Sequence, residues 1–212
     1  MHRLKKSIKI FIKILLGEDD IYGMEWGNPD GSLCLRYVRD HFLVPYITQD
    51  SVIVEIGPGG GRWTRYMLAA KEIYAIDYYQ EMLREFNKNF HGHKNVKCVK
   101  NNGDDFPGIS PNSIDFVFSY GTFVHLDIDI IDRYLGNMKP LLKTKANVVI
   151  QYSDKTKPLA RMNEGFSDND PDKMRSLILS HGYIVYEEDT KSISHSSIIR
   201  FGLGGDASPK LP

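Results

Sequence analysis

The chain has 212 residues, enough for one domain with a short extension and a full core. Lys plus Arg and Asp plus Glu both number 27, so no global field favours nucleic acid, and no basic stretch interleaved with aromatics marks the body of the chain. Two cysteines, Cys34 and Cys98, lack metal-ligand spacing and read as reduced packing thiols of a cytoplasmic protein, Cys98 in a buried strand.

Residues 1–16 carry Arg3, Lys5, Lys6, Lys9 and Lys13 and no acid, with Leu4, Ile8, Phe11, Ile12 and Leu15 at helical spacing. The segment is too short and too interrupted by lysine to span a bilayer or serve as a signal peptide. It reads as a basic amphipathic helix that either lies on an anionic membrane surface or packs on the domain or a partner. Tyr22 and Trp26 follow, able to close over a ligand or simply to pack. Leu35, Val38 and Phe42 then predict a helix over 33–46, which Pro45 breaks. Residues 1–48 are thus expected to form an N-terminal helical extension or cap, and 49–212 the main domain.

Strands are predicted at 52–56, 73–77, 96–100, 114–119, 146–152, 183–187 and 196–201, with helices at 81–90 and 128–138 between them. The last helix has an N-cap in Asp170, Pro171 in its first turn and Gly182 just past its end. Alternation of this kind implies a mainly parallel sheet with helices on both faces. The final two strands, joined only by 189–195, must pair as an antiparallel hairpin. The tail at 202–212 is rich in Gly and Pro and is expected to fray.

Val52-Ile-Val-Glu-Ile-Gly-Pro-Gly-Gly-Gly-Arg62 passes from an apolar run into a glycine cluster, then into a helix-compatible segment with Trp63, Tyr66, Met67 and Leu68. This is the layout of a strand–turn–helix nucleotide site in an open α/β sheet. Asp77 ends the next strand, where a carboxylate can take two hydrogen bonds from a ribose diol. Arg62 stands where a dinucleotide fingerprint needs its third glycine, and no Gly-Lys-Ser/Thr follows. Glu55, beside the turn, would repel a pyrophosphate and suits a positively charged ligand without phosphate. The expected ligand contains adenosine. A nicotinamide oxidoreductase fails on Arg62 and on the lack of a Tyr-x-x-x-Lys pair.

Further motifs follow in order: Ile73-Tyr-Ala-Ile-Asp77, Val96-Lys-Cys-Val-Lys-Asn-Asn-Gly-Asp104, Ser113-Ile-Asp-Phe-Val-Phe-Ser-Tyr120 with Val124-His-Leu126, and Met138-Lys-Pro-Leu-Leu-Lys143 before Ala146-Asn-Val-Val-Ile150. With the glycine turn they make the chain, over roughly residues 50 to 201, resemble the class I S-adenosylmethionine-dependent methyltransferases. The resemblance implies a Rossmann-like, seven-stranded, mainly parallel sheet ending in an antiparallel hairpin, with S-adenosylmethionine as cofactor. It implies that Gly57, Pro58, Gly59 and Gly61, with Glu55, hold the methionine end, and that Asp77 and Tyr78 meet the ribose. The turn of Asn102, Gly103 and Asp104 would face the adenine, with Ser119 and Tyr120 bordering the cofactor. Asn102 stands where the family usually has an acid and Asp104 is the nearest carboxylate, so both are candidates. The usual Pro-Gly-Gly before strand five is replaced by Lys143-Thr-Lys145.

Methyl transfer from a sulfonium is an in-line displacement in which the protein mainly aligns the reactants. A hydroxyl acceptor also needs a general base. His125, in the loop after strand four, is the leading candidate, since an imidazole titrates near neutrality; the competing role is stabilisation of its loop. Past strand five, a long irregular segment with Arg161, Asn163 and Phe166 reads as acceptor pocket or lid, or as a surface excursion. Tyr152, Lys155, Arg161 and His195 are the candidates for substrate binding. His91-Gly-His93 lies at the wrong sheet edge and reads as solvated, so no metal is expected. The function read from all this is O-methylation of a small-molecule or saccharide-like acceptor, with no nucleic-acid partner. The alternative is a non-catalytic S-adenosylmethionine-binding module that docks a partner or membrane through its basic N-terminal helix.

Overall fold

The computed structural model describes residues 22–204; the basic segment at 1–16 and the tail beyond 204 lie outside the described residues. Seven strands form one sheet: β1 (Val52–Ile56), β2 (Glu72–Asp77), β3 (Val96–Lys100), β4 (Ile114–Ser119), β5 (Leu142–Ser153), β6 (Ile184–Asp189) and β7 (Ser196–Gly202). Their order is β3-β2-β1-β4-β5-β7-β6. The first five run parallel, while β7 is antiparallel to both β5 and β6, so the expected sheet and closing hairpin are both present. The chain winds outward from β1 to β3, then returns to lay β4 on the other side of β1. That reversal falls between β1 and β4, and the crevice outside the carboxyl ends of strands at such a reversal is where open α/β sheets bind ligands.

The helices are α1 (Leu33–Tyr37), α2 (Gln80–Phe90), α3 (Ile128–Met138), α4 (Pro158–Met162) and α5 (Pro171–Ser180). Period-two alternation sends Val54, Ile56, Val117, Ile150 and Tyr152 to one face, packed with Ile131, Leu135 and Ile178 of α3 and α5. Ile53, Phe116, Phe118, Val149 and Ile198 go to the other face, where they meet Leu35, Val38, Phe42, Trp63 and Met67. Phe42 is fully buried in this second layer; truncation of such a side chain costs about 3–5 kcal/mol. The boundaries of α5 follow its capping residues: the Asp170 side chain accepts from Lys173 N, Pro171 opens the helix, and Gly182 takes φ 72° beyond its end.

Four local expectations are corrected. The stretch 33–46 is α1, a π-helical stretch (Val38–Leu43) and a 3-10 turn (Val44–Tyr46). Pro45 donates no hydrogen bond and crowds the carbonyl four residues back, so the regular helix cannot run through. The segment after the glycine cluster is a series of turns around a 3-10 turn at Thr64–Tyr66. Cys98 is exposed, because β3 takes the edge of the sheet. Strand five begins at Leu142 because Lys143-Thr-Lys145 continues it, with Lys143 Nζ donating to Asp115 Oδ2 at 2.7 Å.

Candidate cofactor and acceptor site

The bend after β1 has Gly57, Gly59 and Gly61 at φ 70°, 58° and 94°, the left-handed region that penalises any side chain. Space adds to this at two of them. A Cβ on Gly57 would fall inside the Thr122 side chain, and one on Gly61 inside the Phe90 ring. Three N–H groups of the bend are used within the protein: Gly57 donates to Ile76 O (2.8 Å), Gly60 to Tyr22 O (3.1 Å) and Gly61 to Pro58 O (2.9 Å). Polyphosphate binding needs a nest of free N–H groups and a helix N-terminus behind it. Here those three N–H groups are engaged and only turns follow.

Glu55 is 2% exposed and accepts from the Thr64 hydroxyl at 2.5 Å. Burial raises its carboxyl from an ordinary 4.5 to about 7, against the opposing pull of Thr64 and Arg62. Arg62 is also buried; its guanidinium sits 5.5 Å from the centres of both the Trp63 and Tyr120 rings and donates to Gly27 O at 3.3 Å. Burial lowers its pKa and raises that of the Tyr120 phenol. The same glycine turn is covered by 22–27: Tyr22 bonds Gly60, and its ring is the nearest group that a Cβ on Gly59 would meet, at 3.2 Å. Tyr22 also lies edge-on against Trp26 and within electrostatic reach of Asp77. Of the two readings open from sequence, closure over a ligand or packing, the contacts show Tyr22 packed on the glycine turn.

Asp77 ends β2 with its Oδ1 accepting from Tyr79 N at 2.8 Å. Burial raises its pKa, opposed by the amides of Tyr79 and Tyr78. Tyr78 is 52% exposed, and a Cβ on Gly103 would lie 3.7 Å from its ring, so the ends of β2 and β3 meet around it. The β3 turn is organised by Asn101, a buried residue that sequence reasoning missed, which bonds the Tyr134 hydroxyl (2.9 Å) and Asp105 O (3.2 Å). Asp105, also missed, accepts from both nitrogens of Asn102 at 2.7 Å. The carboxylate of Asp104 turns to α3 and pairs with Arg133 at 2.5 Å, whereas Asn102 stays exposed. Ser119 is fully buried and donates to Ile56 O at 2.9 Å, so its hydroxyl stitches β4 to β1.

On the other side of the crevice, His125 Nδ1 lies 2.7 Å from Gly165 O. A carbonyl only accepts, so Nδ1 carries the proton and the neutral ring keeps Nε2 as an acceptor. Phe166 stands edge-to-face with both His125 (5.4 Å) and His195 (5.5 Å), joining three distant chain positions in one aromatic row. His195 Nδ1 is enclosed without a hydrogen-bond partner, and burial, reinforced by Lys157, lowers the ring's pKa. Lys155 Nζ donates to Ala160 O and Asn163 O, and Arg161 to Lys155 O and Thr156 O, so both brace the α4 excursion. Tyr152 corrects an expectation: it is fully buried and its hydroxyl donates to Glu188 at 2.6 Å, because strand alternation turns it into the α3–α5 layer. His91 and His93 are exposed, and among the described residues no group of three or more His, Cys, Asp or Glu side chains could hold a metal ion. No described helix is long and apolar enough to cross a membrane.

Residues 53–145 match the family described as a methyltransferase domain. An uncharacterised methyltransferase-like protein of Schizosaccharomyces pombe is 36% identical over 101 residues, 46% of this chain and 37% of that protein, so this chain matches well under half of its curated relative. In fold, the chain is similar to an S-adenosylmethionine-dependent methyltransferase from Clostridium acetobutylicum (TM-score 0.67, 13% identity, 95% of this chain and 99% of that one). It is also similar to the glycopeptide N-methyltransferase MtfA in complex with S-adenosylmethionine (TM-score 0.59, 12% identity, 73% of this chain and 82% of that one).

Proposed function

We propose that this chain is a class I S-adenosylmethionine-dependent methyltransferase, supported by the methyltransferase-domain match over 53–145 and the methyltransferase-like relative, and that it transfers a methyl group to a hydroxyl of a small-molecule or saccharide-like acceptor. The observation that carries the cofactor assignment is the glycine bend, three of whose N–H groups are engaged and whose neighbouring carboxyl is Glu55. Such a bend fits the ammonium and sulfonium of an amino-acid cofactor better than a pyrophosphate. Gly57, Pro58, Gly59 and Gly61 would hold the methionine end, with Tyr22 and Tyr120 closing over it. Asp77 would take the ribose diol. Tyr78 would lie along the adenine, and Asn102 rather than the ion-paired Asp104 would address its edge.

When bound, S-adenosylmethionine supplies an already activated methyl group, so the chain's own tasks are to align the acceptor and move one proton. His125 would take that proton: Gly165 O holds Nδ1–H, which leaves Nε2 to accept from the acceptor hydroxyl. Phe166 and His195 would form the adjoining wall, an aromatic surface against which a sugar-like or aromatic alcohol could lie. Calorimetry with S-adenosylmethionine against NAD tests the cofactor: binding of NAD alone overturns it. Release of S-adenosylhomocysteine with a panel of hydroxylated acceptors, beside RNA and protein, tests the acceptor class. Turnover confined to RNA or protein would overturn that part.

A further inference from the structure

One buried side chain bridges the two halves of the crevice. Gln151 lies on β5, one residue beyond the Ser119–Ile150 pairing with β4, and is 1% exposed. Its Oε1 accepts from Gly121 N at 2.7 Å and its Nε2 donates to Ser196 Oγ at 2.6 Å. The amide has one orientation available, because a backbone N–H can only donate and so the oxygen must face Gly121. Gly121, at φ 90°, opens the loop that leads through Thr122 to His125. Ser196 directly follows His195, and its carbonyl accepts from Lys157 Nζ at 2.6 Å, which also holds Ile193 O at 2.7 Å.

Gln151 shares its sheet face with Val149 and Ile198, where an apolar residue would pack without any hydrogen-bonding condition. A polar group there is tolerated only with both ends bonded, and these two bonds run to the two loops that carry His125 and His195. We propose that Gln151 is a positioning residue that couples the cofactor-side loop after β4 to the His195 turn, so that cofactor binding presets the acceptor wall. The inference rests on the cofactor reading above. The planar amide transmits a displacement of Gly121 to Ser196, and thereby to the imidazole beside it. The aromatic contact through Phe166 is a second physical route between the histidines, and the variants below separate the two.

The test uses the full chain, 15N-labelled, with imidazole signals recorded by long-range 15N–1H spectra during titration with S-adenosylhomocysteine. In the unaltered protein, signals of both His125 and His195 move at saturation. In Gln151→Met the His125 response persists while that of His195 falls about threefold or more, with the dissociation constant changed by less than about threefold. Ser196→Ala, which removes one end of the bridge with little change in volume, shows the same selective loss and decides the matter if the Met variant fails to fold. A His195 response retained in a folded variant, or absent from the unaltered protein despite binding, overturns the coupling alone. Failure of the unaltered protein to bind S-adenosylhomocysteine by calorimetry overturns the proposed function, and the coupling with it.

Discussion

The two halves of the crevice are built on different principles. On the β1–β2–β3 side the proposed functional groups are backbone bends and one carboxylate, each within a few residues of the strand that places it: Gly57 one residue after β1, Asp77 the last residue of β2, Asn102 two after β3. On the β4–β5–β7 side they are His125, Phe166 and His195, brought together across long stretches of chain by ring contacts and by bonds to loop carbonyls. A site made of local backbone is robust to the packing of distant elements. A site made of converging side chains depends on each loop that carries them.

That contrast can be tested from the side-chain half first. His125→Ala is expected to lower the rate of methyl transfer to a hydroxyl acceptor about 100- to 10,000-fold, with cofactor affinity by calorimetry unchanged; equal loss of both would show that His125 supports its loop. On the backbone half, Gly57→Ala places a Cβ against Thr122 at positive φ, and is expected to destabilise by about 1–3 kcal/mol and to abolish measurable cofactor binding. Urea denaturation and calorimetry together check it. Asp77→Asn keeps an acceptor for Tyr79 N but loses the charge, so affinity for S-adenosylmethionine should fall about 10-fold or more while thermal stability stays near that of the parent.

The smallest effect concerns pH. The Glu55 carboxyl titrates at about 7 in the folded chain against an ordinary 4.5, so the folded state binds the extra proton. Its contribution to stability is then fully present below about 4.5 and declines as pH rises toward about 7. Glu55→Gln should remove that decline, worth on the order of 1–3 kcal/mol, as read from denaturation midpoints across this window. A cationic cofactor favours the ionised form, so affinity in the unaltered protein should rise through the same window, and the Gln variant should lack the rise.

Legibility followed the same division. Gly57, Gly59, Gly61 and Asp77 were readable because glycine spacing and a strand-terminal acid are local codes, and the structure sets all four around one bend. Asn102 and Asp104 could not be separated from sequence, because the choice depends on Arg133, a helix away. Tyr152 was misplaced because strand register, not its position at the expected strand end, decides which face it takes. Gln151 and Asn101 had no signal in the sequence, and the two readings of Tyr22 could not be separated there, since each acts through partners distant along the chain.

The sequence by itself determined the alternation of strands and helices, the closing hairpin, the glycine bend and the acid of β2, because these rest on backbone sterics and on the two- and 3.6-residue periods of apolar side chains. Tertiary structure alone decided that three of the bend's N–H groups are engaged, that Glu55 is shut in with Thr64, and that His125, Phe166 and His195 form one aromatic row. Hydrogen-bond partners, burial and ring contacts are properties of atoms far apart in the chain, and they exist only once the sheet has brought those atoms together.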